Sequence, residues 1–127
     1  MHGKYLYEYA VVRVVPKVER EEFLNVGIIV FCKRQKFLRM TFKLNLSRLS
    51  AFATELEPEQ LEENLQSFDK ICQGAPDGGP ISLEETAERF RWLTAVKSSC
   101  IQTSRPHPGF SNDLEMTLER LFEELVL

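Results

Sequence analysis

Four residues stand where chemistry would be sought first. Arg13 lies near the end of one apolar stretch, and Glu22, Asn25 and Gly27 follow a charged turn at the mouth of the next. A guanidinium beside a carboxylate can hold a phosphate or another anion, with Glu22 as general base or metal ligand. The same groups also suit a structural clamp. In that reading Arg13 pairs with Glu22 across the turn, Asn25 closes an Asx turn, and Gly27 admits a bulge or a close backbone approach. No nucleophile, acid partner or metal cluster accompanies them, so the clamp is the simpler expectation and catalysis the alternative.

Other reactive side chains add little. His2 and His107 stand at no metal-ligand spacing from a second ligand. Cys32, Cys72 and Cys100 form no CxxC and leave one thiol over in any disulfide scheme, so all three are expected to be reduced, with Cys32 filling core. No metal site and no cofactor are expected.

The elements that must position these residues are read from periodicity. Tyr5 to Val15, aromatic and β-branched and ended by Pro16, predicts a long central strand. Val26 to Cys32 is apolar except at Gly27, which predicts a strand buried on both faces. In Phe37–Leu44, Leu38, Met40, Phe42 and Leu44 alternate with Arg39, Thr41 and Lys43, predicting an edge strand that forms a hairpin with its predecessor. Helices follow from near Leu46, with Pro58 at a first helical position and Gly74 ending the run. Ser82-Leu83-Glu84-Glu85 reads as a capping box opening a second helix, and Asn112 as the cap of a last one, 112–126. Between them, Lys97 to Thr103 predicts a short strand, and residues 105–109 a turn. The fold class is α+β, a mainly antiparallel sheet of three to four strands packed on one face by three helices.

With 127 residues, 43% of them hydrophobic and 28% charged, the chain is expected to form a single domain, residues 1–127. No apolar leader and no run of membrane-spanning length is present, so a cytoplasmic protein without a membrane partner is expected. The net charge of −3 conceals a division: residues 1–54 carry ten Lys/Arg against four Asp/Glu, and residues 55–127 six against fifteen. No acidic residue lies between Glu22 and Glu55, an interval that holds Lys33, Arg34, Lys36, Arg39, Lys43 and Arg48. This polarity fits an anionic partner, or a homo-oligomer in which basic sheet meets acidic helices, with Trp92 as a possible apolar contact. The Tyr5, Tyr7, Tyr9 stripe beside these cations resembles a stacking platform for single-stranded nucleic acid, but alternate tyrosines are also ordinary sheet packing.

Residues 9–16, Tyr-Ala-Val-Val-Arg-Val-Val-Pro, and 20–29, Arg-Glu-Glu-Phe-Leu-Asn-Val-Gly-Ile-Ile, resemble the opening signature of the bacterial family called domain of unknown function 3037. A weaker similarity continues through residues 101–106 and 121–126. The family has no assigned activity, and the resemblance implies a kinase-associated role with a HipA-like kinase as partner. The leading expectation is a small non-enzymatic protein-interaction or regulatory module. An enzyme or enzyme subunit acting on a phosphate-bearing substrate through Arg13 and Glu22 is the alternative. A nucleic-acid-binding module is the third reading, disfavoured by the acidic half.

Overall fold

A computed structural model describes residues 4–16, 22–52, 57–95 and 100–127. The elements run β1 (Tyr5–Val14), β2 (Leu24–Cys32), β3 (Phe37–Phe42), α1 (Leu46–Phe52), α2 (Pro58–Gln73), a 3-10 turn at Pro80–Leu83, α3 (Thr86–Thr94), β4 (Ile101–Thr103), β5 (His107–Ser111) and α4 (Leu114–Leu125). All strand pairs are antiparallel, in the order β3-β2-β1, with β4 and β5 sharing the far side of β1. The α+β class holds, and β1 is central and β3 an edge.

The layering differs from the expected one-sided cover. Val12, Val14, Ile29, Phe31, Leu38 and Met40 face α1, α2 and α3, meeting side chains such as Leu49, Leu65, Phe68 and Phe90. Tyr7, Val11, Ile28 and Val30 face the opposite way, against Leu114, Leu118 and Leu121 of α4. The reason lies in β2, whose described side chains from Val26 to Cys32 are buried on both sides. An apolar strand of that kind must be covered twice, and the amphipathic stripe of α4 supplies the second cover.

β5 is a strand in the segment expected to turn. Pro108 is tolerated because, among the described residues, β5 pairs only with β1, leaving its other side at an edge. Gly109 opposes Tyr7, and a Cβ there would lie 2.6 Å from the tyrosine ring, so the aromatic side chain occupies the glycine's space. The tyrosine stripe is thereby part of the second core: Tyr7 is buried, and Tyr5 and Tyr9 pack against the same cluster. Between β4 and β5, Ser104 takes the place of a strand. Its N–H donates to Val11 O (2.8 Å) and its Oγ accepts from Val11 N (2.9 Å), completing the β1 ladder where neither short strand reaches.

Two caps fall elsewhere than expected. Ser82 lies in the 3-10 turn, its hydroxyl donating to Ala75 O and Gly79 O, and α3 begins at Thr86 after Glu85. In α4 the cap is Asp113, whose side chain accepts from Met116 N, rather than Asn112. Leu83, the second residue of the expected capping box, is exposed. Residues 97–99 of the predicted fourth strand lie outside the described residues, and Ile101–Thr103 is strand.

Candidate functional site

The strand-mouth residues are brought together in part. Arg13 and Asn25 are cross-strand partners, next to an irregularity where Val12 pairs with Gly27 and Val26 is extra. This is a β-bulge, and it shifts the facing of β2 so that Leu24 and Val26 on one side of it share a core with Ile29 and Phe31 on the other. Gly27 is where β3 comes closest: a Cβ there would lie 2.9 Å from both Phe42 Cβ and Thr41 O.

Asn25 Nδ2 donates to Leu125 O (3.0 Å), and Arg48 Nη1 to Val126 O (3.2 Å), so both residues satisfy carbonyls at the C-terminal end of α4. The Arg13 guanidinium carbon sits 4.0 Å from the centre of the Phe23 ring, a cation–π contact. The salt bridges of the described residues do not include an Arg13–Glu22 pair, and Glu22 is exposed. Asn25 thus ties β2 to the end of α4, and Arg13 lies against an aromatic face. Arg13 Nε and Asn25 Oδ1 are buried without a hydrogen-bond partner among the described residues.

The second candidate is the edge of β3, which among the described residues pairs with no strand on the side away from β2. Lys43 N donates to Val26 O (2.8 Å), which sets the alternation of the strand. Odd-numbered residues turn their backbone groups toward β2, and Leu38, Met40 and Phe42 turn theirs outward. Two grooves meet along this edge. One, of about 620 Å³, lies on the α2–α3 side and is walled by Asp69, Cys72, Gln73, Thr86 and Arg89. The other, about 320 Å³, lies on the α4 side and is walled by Glu115, Leu118, Glu119, Phe122 and Glu123.

Electrostatics distinguish the two walls. On the α4 side, Glu115, Glu119 and Glu123 repeat every four residues along one helix face. Arg39 of β3 bridges Glu115 at 2.8 Å, while no hydrogen bond or salt bridge of the described residues engages Glu119 or Glu123. On the other side, Arg89 is committed to structure: Nη1 donates to Ile71 O (2.9 Å) and Cys72 O (2.7 Å), and Nε to Glu84 O (2.9 Å). Burial, with Asp69 adding to it and Arg89 opposing, pushes the Cys72 thiol far above its ordinary range. It stays protonated and is a poor nucleophile.

Among the described residues no group of His, Cys, Asp or Glu could hold a metal ion, and no helix is long and apolar enough to cross a membrane. Reasoning from sequence found β3 as an edge and missed its walls. The signal for one wall was present in the four-residue spacing of Glu115, Glu119 and Glu123. The other wall depends on how α2 and α3 dock. No curated protein and no solved structure showed significant similarity to the chain. The family model described as protein of unknown function (DUF3037) matches residues 9–126, covering the bulged β1–β2 pair, the β3 edge and α4, and the chain belongs to that family.

Proposed function

We propose that the protein is a non-enzymatic interaction module that receives an extended segment of a protein partner along the free edge of β3. The observation that carries this reading is the outward row of backbone donors and acceptors at Leu38, Met40 and Phe42, open between two grooves. Edge strands are commonly guarded by charge. Here the central cation, Arg39, is drawn onto Glu115 of α4 and partly neutralised.

The surroundings also describe the occupant. A strand added to β3 places alternate side chains beside Leu38, Met40 and Phe42 on one face, and the others beside Glu119 and Glu123 on the opposite face. Apolar residues alternating with Arg or Lys meet both demands. A HipA-like kinase, the partner implied by the family resemblance, is the first protein to be tried for such a segment, and would make the module regulatory. The enzymatic alternative through Arg13 and Glu22 has less support, because Arg13 lies against Phe23 rather than facing a carboxylate.

The test is a labelled extended peptide alternating apolar residues with arginine, titrated by fluorescence polarisation and followed by amide hydrogen exchange. Binding in roughly the micromolar range is expected, with new protection confined to the Leu38, Met40 and Phe42 amides. No binding, or protection elsewhere, overturns the reading.

A further inference from the structure

We infer that the segment received at this edge is β3 of a second copy of the chain, forming a two-fold dimer with one continuous sheet. The inference rests on the proposed use of the edge and goes further by naming its occupant. Within the described residues, β3 itself matches the occupant's description: Leu38, Met40 and Phe42 alternate with Arg39 and Thr41. Its outward backbone groups are the ones to be matched.

Register can be worked out from the strand. In antiparallel pairing, opposed side chains share a face, which leaves two long self-registers, overlapping residues 37–41 or 38–42. Centred on Arg39, the first sets two guanidinium groups directly opposite each other, a repulsive arrangement. Centred on Met40, the second sets Arg39 opposite Thr41 of the other copy. The outward-facing pairs are then Leu38 with Phe42, Met40 with Met40 and Phe42 with Leu38, and each exchanges two backbone hydrogen bonds. The first register pairs only Leu38 with Met40 in this way, twice, so the second makes the larger number of backbone bonds as well as avoiding the charge clash.

That register also accounts for the second wall. Thr41 lines the groove that holds Glu119 and Glu123. The second copy's Arg39, lying beside Thr41, enters this groove and faces both carboxylates. Arg39 keeps its own bridge to Glu115, because a guanidinium has donors enough for two acidic partners. By the two-fold axis the contact occurs twice.

Sedimentation velocity on the full chain supplies the test, using Arg39→Glu and the double variant Glu119→Lys, Glu123→Lys, all at exposed positions. The wild type is expected to sediment as a dimer at high micromolar concentration. Each variant alone sets like charges together at both contacts and should weaken association by about tenfold or more. Mixed in equal amounts, the two restore opposite charges at both contacts, and the heterodimer should return to near wild-type affinity. Rescue on mixing cannot come from variants that merely fold poorly. A wild-type monomer, variants that still dimerise, or a mixture that stays monomeric each overturns the inference. If the chain is monomeric yet the alternating peptide protects the Leu38, Met40 and Phe42 amides, only the second copy is wrong. If the peptide fails as well, the interaction reading falls with it.

Discussion

Replacing Gly27 by alanine tests whether this glycine serves the fold or a ligand. The added methyl carbon would meet Phe42 Cβ and Thr41 O, each at 2.9 Å. One of those atoms is backbone and the other is fixed to it, so neither can rotate away. Relief requires β3 to move from β2, at a strand pair where backbone approach is already close. Overpacking of this kind costs about 1–3 kcal/mol, and the stiffer unfolded chain returns roughly 0.4–1 kcal/mol. A net loss of about 1–2 kcal/mol is expected. Urea unfolding should show a lower midpoint with an unchanged slope, and hydrogen exchange should show faster exchange at Thr41. A loss below about 0.5 kcal/mol would show that β3 yields freely. In that case, close strand approach would not explain why glycine stands there.

Ser104→Ala removes the acceptor of the buried Val11 N–H at the junction of β4 and β5, and leaving that donor unsatisfied should cost about 1–3 kcal/mol in urea unfolding. Unchanged protection of the Val11 amide in the variant would refute that account. Asp77 is bonded to Lys70 at 2.8 Å, and this hydrogen bond, with the accompanying charge attraction, holds its carboxyl below the ordinary value. Because the folded value lies below the unfolded one, this contact contributes at neutral pH and is lost as pH falls through the folded value. An NMR titration should find the Asp77 carboxyl depressed in the wild type and raised toward the ordinary carboxylate range in Lys70→Ala, where a backbone hydrogen bond still lowers it. Equal values in the two proteins would exclude the pairing.

Much of the fold was legible because its signals are local. The alternation of β3, the Pro58 start and the Gly74 stop each follow from a few neighbouring residues. β5 was hidden because His107-Pro108-Gly109 carries turn residues. Its strand character comes from β1, whose Tyr7 ring needs the glycine and whose edge pairing tolerates the proline. Ser82 carried a capping signature, but its hydroxyl serves Ala75 O and Gly79 O of the preceding loop, seven and three residues back, instead of the helix ahead of it. The two-sided burial of β2 was visible, although the expected layering covered only one face of the sheet. What periodicity alone does not reveal is which helix crosses to the second face. At the strand mouth, the nearness of Arg13 and Asn25 follows from pairing adjacent strands. The Phe23 contact was missed because a carboxylate was sought for a cation that an aromatic ring can also satisfy.

The division of one side of β1 between β4 and β5 has a consequence for the order in which the chain is made. Val14 waits for Ile101 and Tyr5 for Ser111, so the central strand of the sheet is completed by residues translated long after it. At synthesis rates of roughly 5–20 residues per second, the β1–β2–β3 meander emerges several seconds before its far edge can be covered. During that interval both margins of the nascent sheet are open, and the β1 margin runs through the apolar stretch Ala10, Val11 and Val12. The closing pairings also span most of the chain, which raises the loop-closure cost and slows the final step. Vulnerability to aggregation during synthesis is therefore concentrated on β1, and it ends when Ser104 closes the gap between its two late partners.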